Sequence, residues 1–288
     1  LKIDTEKRKS QTLLQKLQEE RNIISKKIGQ SKSKNIDASA YLKRIDVIKN
    51  EIIVLKELEK IKNDELLSIL NSLPNLPLKN VPKGLNEESN VEIKKWGTLP
   101  KFDFLPKQHY ELGENLGLMD FELASKLSGS RFVILKGILS KLERSIAEFM
   151  LDKHTKENGY TEISPPFLVK DHCLYGTGQL PKFSEDLFTA GESHWLIPTA
   201  EVPLTNLARE NILDEDKLPI RVTAYTPCFR SEAGAAGKDT KGMLRQHQFS
   251  KVELVSITKP SQSENEHERM LKCAESILQD LNIHYRIV

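Results

Sequence analysis

The chain has 288 residues, 29% of them charged, with a formal net charge of +2. That is enough for one sizeable core plus an extra element. No apolar run approaches the ~18 residues that span a bilayer, and no signal-peptide pattern is present. Cys173, Cys228 and Cys273 lie far apart without a C-x-x-C spacing. They read as reduced, packed thiols in a reducing compartment, not as a disulfide frame or a zinc site.

The near-neutral total hides an asymmetry. Residues 1–34 hold 10 Lys/Arg against 4 Asp/Glu, and residues 1–70 hold 16 against 11, so the remainder is net acidic. A basic arm on such a body points to nucleic acid; the plainer alternative is a solvated helix face. The chain opens on Leu1 inside a helical pattern and closes on a strand-like His284–Val288. We therefore expect a partial chain.

In chain order, residues 1–71 predict an antiparallel helical hairpin. Leu14, Leu17, Arg21, Ile24 and Ile28 follow 3-4 spacing. So do Ile45, Ile48, Ile52, Leu55, Glu59, Lys62, Leu66, Ile69 and Leu73. This is a coiled-coil seam, with Leu58 and Ile61 supplementing the two charged slots, Glu59 and Lys62, of its second run. Turn chemistry over Gly29–Asn35 predicts the reversal. Residues 74–110 are a Pro/Asn/Gly-rich connector, with a weak strand signal at Trp96-Gly97. From Ser130 to Asn158 the pattern predicts one long amphipathic helix with Val133, Leu135, Ile138, Leu142, Ile146, Phe149 and Met150 as its stripe, stopped at Asn158-Gly159. A short strand, Tyr160–Ile163, is broken by Pro165-Pro166.

Thr199-Ala200-Glu201 follows a strand-like Trp195–Pro198. A hydroxyl and a carboxylate so placed can receive an ammonium and a hydroxyl; the competing reading is a helix N-cap. Residues 220–229 and 247–255 are β-branched and aromatic, hence strands. Residues 264–281 predict a helix with Met270, Leu271, Ala274, Ile277, Leu278 and Leu281 inward. Strands joined by a long hairpin loop predict an antiparallel sheet in an α+β fold.

The stretch Thr226–Glu253 holds the densest chemistry. Gly237-Lys238 is not a P-loop: Glu232 stands where its first glycine is needed and Asp239 where Ser or Thr is needed. Arg230 and Arg245 suit bidentate anion contacts. Phe249 can stack on an adenine, Glu232 can accept from its amino group, and Glu253 can hold an ammonium or hydroxyl. Alternatives remain at this level: an Arg230–Glu232 ion pair, and Phe249 as core.

Taken together these segments resemble the class II aminoacyl-tRNA synthetases, in particular the bacterial-type seryl branch. Ser130–Pro166 resembles the helix-and-strand motif 1. Phe229-Arg230-Ser231-Glu232 and His247-Gln248-Phe249-Ser250-Lys251-Val252-Glu253 resemble motif 2, and Gly176–Phe183 with Thr199-Ala200-Glu201 resembles the seryl branch. The resemblance covers essentially the whole chain. It implies a coiled-coil tRNA-binding arm (1–73), a connector (74–110) and an incomplete catalytic domain (111–288) built on an antiparallel sheet flanked by helices. Motif 3 and the Mg²⁺ ligands are expected beyond the last residue, with no metal site within this chain.

By the same resemblance, Thr199, Ala200, Glu201, Arg230 and Glu253 bind serine. Arg230, Ser231, Glu232, Arg245 and Phe249 bind ATP. The basic face of residues 1–35 and the loop Ala233–Gly242 meet tRNA-Ser. The implied partners are L-serine, tRNA-Ser and a second copy through Ser130–Pro166, the co-substrate is ATP with Mg²⁺, and the compartment is the cytoplasm. The implied activity is formation of seryl-adenylate and its transfer to tRNA. The alternatives are a synthetase-like ligase acting on a carrier protein, and a non-enzymatic coiled-coil RNA-binding protein.

Overall fold

The computed structural model describes residues 1–235 and 241–288. The chain divides into two compact units, Leu1–Leu76 and Pro77–Val288.

The first unit is a hairpin of α1 (Lys2–Ser33) and α2 (Ser39–Ser72). Its core holds the middle of the predicted seam, Leu14, Leu17, Ile24, Ile28, Ile48 and Ile52, together with Ala38, and Tyr41, Ile45 and Leu55 pack against it. The far end of the predicted seam is not core, since Ile69 and Leu73 are exposed. The charged slots are satisfied across the hairpin. Glu59 accepts from Gln11 Nε2 at 2.8 Å and Lys62 reaches Glu6 at 3.0 Å. Arg44 forks onto both oxygens of Glu20 at 2.8 and 2.9 Å.

The reversal uses only the end of the predicted Gly29–Asn35 segment. The helix runs through Gly29 to Ser33 and is capped at Lys34, and Asn35 follows with a left-handed φ of 52°. Ile36 N–H donates to Ser31 O and Asn35 N–H to Lys32 O. That pair of bonds is a Schellman stop with Asn in the position glycine usually takes. Asp37 then accepts from Ser39 N–H and opens α2.

The second unit begins with β1 (Lys94–Trp96), α3 (His109–Asn115), β2 (Met119–Asp120), α4 (Phe121–Ser128) and β3 (Ile134–Leu135). Then come α5 (Gly137–Lys156), β4 (Thr161–Glu162), β5 (Leu168–Val169), α6 (Asp171–Gly176), β6 (Thr189–Ala190) and β7 (His194–Leu196). Last are α7 (Glu201–Asn206), β8 (Ile220–Phe229), β9 (Gln248–Ile257), α8 (Ser263–Asp280) and β10 (Tyr285–Ile287). Its main sheet has the order β4-β8-β9, and a second has the order β5-β7-β6.

The long pair β8–β9 is antiparallel, from Ile220↔Ile257 to Phe229↔Gln248. β4, however, joins β8 in parallel, Thr161↔Val222, so the main sheet is not purely antiparallel as predicted. The weak Trp96 signal is a real strand: β1 pairs with β10, and Trp96 stacks on Tyr285 at 5.7 Å.

Two helix expectations need correction. The helix predicted from Ser130 starts only at Gly137. Residues 132–135, Phe-Val-Ile-Leu, favour an extended chain, and Ile134-Leu135 pair as β3 with β2. On α8, Ala274 and Leu281 are exposed, while Glu266, Cys273, Glu275 and Ile277 are buried. Ion pairs turn that face inward. Glu266 takes Arg221 at 2.7 and 2.8 Å and Arg269 at 2.9 Å, and Glu275 takes Lys94 at 2.6 Å. Met270, Leu271 and Leu278 instead line an open cleft of about 510 Å³ with Met150 and Leu254.

Candidate active site

Strand alternation puts Phe249, Lys251 and Glu253 of β9 on one face. Their cross-strand partners on β8 are the smaller Cys228, Thr226 and Ala224, all fully buried. Small residues under large ones leave the long side chains room to lie over the sheet. One step past the last ladder pair, Arg230 N–H donates to His247 O, and His247 Nδ1–H donates back to Arg230 O, both at 2.9 Å. His247 sits against Phe132 and Phe188. Arg230 therefore leaves the strand from an anchored backbone.

A second wall comes from the end of β7. Ile197 O accepts from Phe229 N–H at 2.9 Å, and Pro198 O accepts from Arg230 Nε at 3.2 Å. These bonds dock Thr199-Ala200-Glu201 beside the strand pair. With Nε spent on Pro198, the two terminal nitrogens of Arg230 are uncommitted among the described residues. Its guanidinium lies 5.2 Å from the Phe249 ring centroid.

The cap and site readings of Thr199 turn out to be compatible. Its Oγ1 accepts from Glu201 N–H at 3.2 Å at the start of α7, and its proton goes to Glu253 Oε2. Glu201 reaches solvent, yet the surrounding protein raises its pKa above the usual carboxylate value. Burial is the larger cause and the Glu253 charge the next, opposed by Lys251 and Arg230.

A third wall is the turn at 184–186. Asp186 O accepts from Ser231 N–H and Asp186 Oδ1 from Ala233 N–H, each at 2.9 Å, and Ser231 Oγ donates to Glu185 O. These bonds hold Glu232 at a φ of 52°, a conformation that persists where surroundings over-determine it. Glu232 then accepts from Arg245 Nη1 at 3.0 Å. The ion pair of Glu232 is thus with Arg245, not Arg230.

The walls enclose a cleft of about 360 Å³ lined by Thr199, Glu201, Arg230, Glu232, Arg245 and Lys251, among others. Not every candidate faces it. Ala200 is fully buried, and the Ser231 hydroxyl is used on backbone. Glu253 stands behind Thr199 and Lys251. Phe249 opens onto a neighbouring cleft of about 460 Å³. Ala236, Gly237, Lys238, Asp239 and Thr240 of the predicted tRNA loop lie outside the described residues. Its far stem is fixed: Met243 N–H donates to His109 Nε2 at 2.8 Å, and a Cβ on Gly242 would overlap the His109 ring.

In the sequence, Lys251 and His247 stand within the segment that resembles motif 2 but carry no evident role there. The available signal was strand parity, which groups Lys251 with Phe249 and Glu253. His109 gave no signal, because its partner is 134 residues away.

Such a cleft, cationic at Arg230 and anionic at Glu201, suits a zwitterion whose carboxylate sits near a phosphate. Comparison with known proteins gives the family. Residues 1–77 match the family "Seryl-tRNA synthetase N-terminal domain", and residues 184–288 match "tRNA synthetase class II core domain (G, H, P, S and T)". The serine--tRNA ligase of Paramagnetospirillum magneticum is 56% identical over the whole chain, which covers 68% of that protein. The chain belongs to the seryl-tRNA synthetase family. The serine--tRNA ligase of Azorhizobium caulinodans is 53% identical, with 68% of it covered. The crystal structure of the Pyrococcus horikoshii seryl-tRNA synthetase complexed with ATP superposes with a TM-score of 0.89 at 35% identity, over 99% of this chain and 68% of that one.

Proposed function

We propose that the chain carries the serine--tRNA ligase reaction. A serine carboxylate oxygen bonds to the α-phosphorus of ATP as the bond to pyrophosphate breaks, giving seryl-adenylate. The terminal adenosine hydroxyl of tRNA-Ser then attacks the activated carbonyl and AMP leaves. The observation that carries this reading is the meeting of Thr199, Glu201, Arg230 and Lys251 at one cleft, with Glu253 bonded to Thr199 and Lys251 behind them, in a member of this family.

In this reading the serine ammonium and hydroxyl are received by Glu201 and Glu253 beside Thr199 and Ala200. Arg230, held at Nε, uses its two terminal nitrogens to bridge the serine carboxylate and the α-phosphate, where bidentate guanidinium contacts are strongest. Ser231 and Glu232 shape the ATP segment, Arg245 meets the outer phosphates after parting from Glu232, and Phe249 stacks on adenine. Catalysis is positioning and charge stabilisation, with no covalent enzyme intermediate.

ATP is bound with Mg²⁺ in this reading, but the described residues do not fit the ion. No group of three or more His, Cys, Asp or Glu is placed to hold a metal, and Glu232 and Glu253 are each engaged by a cation.

Residues 1–73 act as the tRNA arm through the basic face of α1, 74–110 as connector and 111–288 as catalytic domain. The exposed Ile138 and Leu142 near the start of α5 support a homodimer through Ser130–Pro166. No helix among the described residues is long and apolar enough to cross a membrane, and we place the reaction in the cytoplasm. Serine-dependent ATP–pyrophosphate exchange, followed by charging of tRNA-Ser, tests the assignment. Exchange supported equally by other amino acids would refute it, and exchange without charging would favour a carrier-protein ligase.

A further inference from the structure

Lys251 takes no part in the bond changes of the reaction, yet it lines the cleft in front of Glu253. Its Nζ donates to Thr199 Oγ1 at 2.8 Å and lies 2.5 Å from Glu253 Oε2. The donor count around Thr199 then closes. A threonine hydroxyl has one proton and two lone pairs. Both lone pairs are taken, one by Glu201 N–H and one by Lys251. The proton is left only Glu253, and that bond is present.

Glu253 is divided in the same way. Its Oε2 receives Thr199 and Lys251, while its Oε1 takes no hydrogen bond among the described residues. The buried Thr226 across the strand pair is small enough to let the lysine stem lie flat and carry Nζ to this point. The charged groups around Nζ come from three elements: Glu201 on α7, Arg230 at the end of β8, and Glu253 on β9.

We propose that Lys251 is the positioning residue of the amino-acid pocket: it fixes the Thr199 hydroxyl on one oxygen of Glu253 and so keeps the other oxygen free of hydrogen bonds for the incoming serine. This rests on the reading of Thr199, Glu201 and Glu253 as the serine site. Removing the ammonium frees the Thr199 hydroxyl to turn. It also leaves two neighbouring carboxylates, Glu201 and Glu253, with one fewer cation to offset their repulsion.

The test is serine-dependent ATP–pyrophosphate exchange by the intact enzyme, with KM measured separately for serine and ATP. Lys251→Met is expected to raise KM for serine about tenfold or more while KM for ATP stays within about twofold. Lys251→Arg, which keeps a cation in a different shape, recovers part of the loss. Lys251→Gln carries the same test should the methionine variant not fold. A serine KM within about twofold of wild type, or an equal rise in both KM values, overturns the proposal. Glu253→Gln and Thr199→Ala separate the two levels. If they raise the serine KM and Lys251→Met does not, only the positioning role falls. If they too leave it unchanged, the serine-site reading falls and the inference with it.

Discussion

Replacing Glu266 by Gln tests how the second unit is held together. The Glu266 side chain is only 9% exposed and is clasped by Arg221 on β8 and Arg269 one turn along α8. Arg269 also reaches Asn158 O and the Tyr160 hydroxyl, at 3.1 and 2.8 Å. One carboxylate thus ties α8 to β8 and to the turn after α5. The Arg221 bonds, and then those of Arg269 and Ser256, outweigh desolvation and hold its pKa at about 2, against an ordinary 4.5. At ~1.36 kcal/mol per pH unit, that difference corresponds to about 3 kcal/mol of stability. Because the folded pKa is the lower one, the contribution is full above pH ~4.5 and fades as pH falls through ~2.

Glu266→Gln should therefore lose ~2–4 kcal/mol at pH 7, the larger part from two half-buried guanidiniums left without a counter-charge. The gap to wild type should narrow steadily between pH 5 and pH 2. Denaturant unfolding followed by tryptophan fluorescence measures this, since the two tryptophans, Trp96 and Trp195, both lie in the second unit. A variant within about 0.5 kcal/mol of wild type at pH 7, or a gap unchanged between pH 5 and pH 3, would refute the reasoning.

Other outcomes follow from the site and the arm. Glu253→Ala is expected to lose serine activation far more than ATP binding in exchange kinetics; equal losses contradict the assignment. Ile48→Ala, at a fully buried seam position, should destabilise the hairpin by ~2–4 kcal/mol, read as earlier loss of helical circular dichroism. Deleting residues 1–70 from the intact enzyme should leave adenylate formation in place and abolish tRNA charging. Charging by the undeleted enzyme should weaken steeply with salt, as phosphate contacts do. Charging that survives the deletion removes the arm from the mechanism.

Legibility in the sequence followed the range of the forces involved. The hairpin seam and the β8–β9 pair were readable because each repeats a short period, and Thr199-Ala200-Glu201 and Arg230–Glu232 stood out as compact clusters. Features decided by distant partners were not. Phe132–Leu135 fits the helical stripe by spacing and a strand by residue type, and only the pairing of Ile134-Leu135 with β2 decides between them. The buried face of α8 follows Glu266 and Glu275, whose partners on other elements, Arg221 and Lys94, lie 45 and 181 residues away. Asn35 was grouped with Gly29 as turn chemistry, and only the backbone bonds show which residue stops the helix. Lys251 was visible as a letter, but its use depends on a threonine 52 residues upstream.

The polar contacts across the hairpin carry a mechanical meaning. Glu6–Lys62, Lys7–Asn63, Gln11–Glu59 and Glu20–Arg44 are spread along the hairpin. Sliding one helix past the other by a single turn would unmake all four, although the apolar seam could largely re-form. The two helices are therefore pinned like a vernier, with a span of about 48 Å for the 32 residues of α1 at 1.5 Å per residue. An arm so pinned can serve as a gauge: it measures off a set distance along whatever it grips.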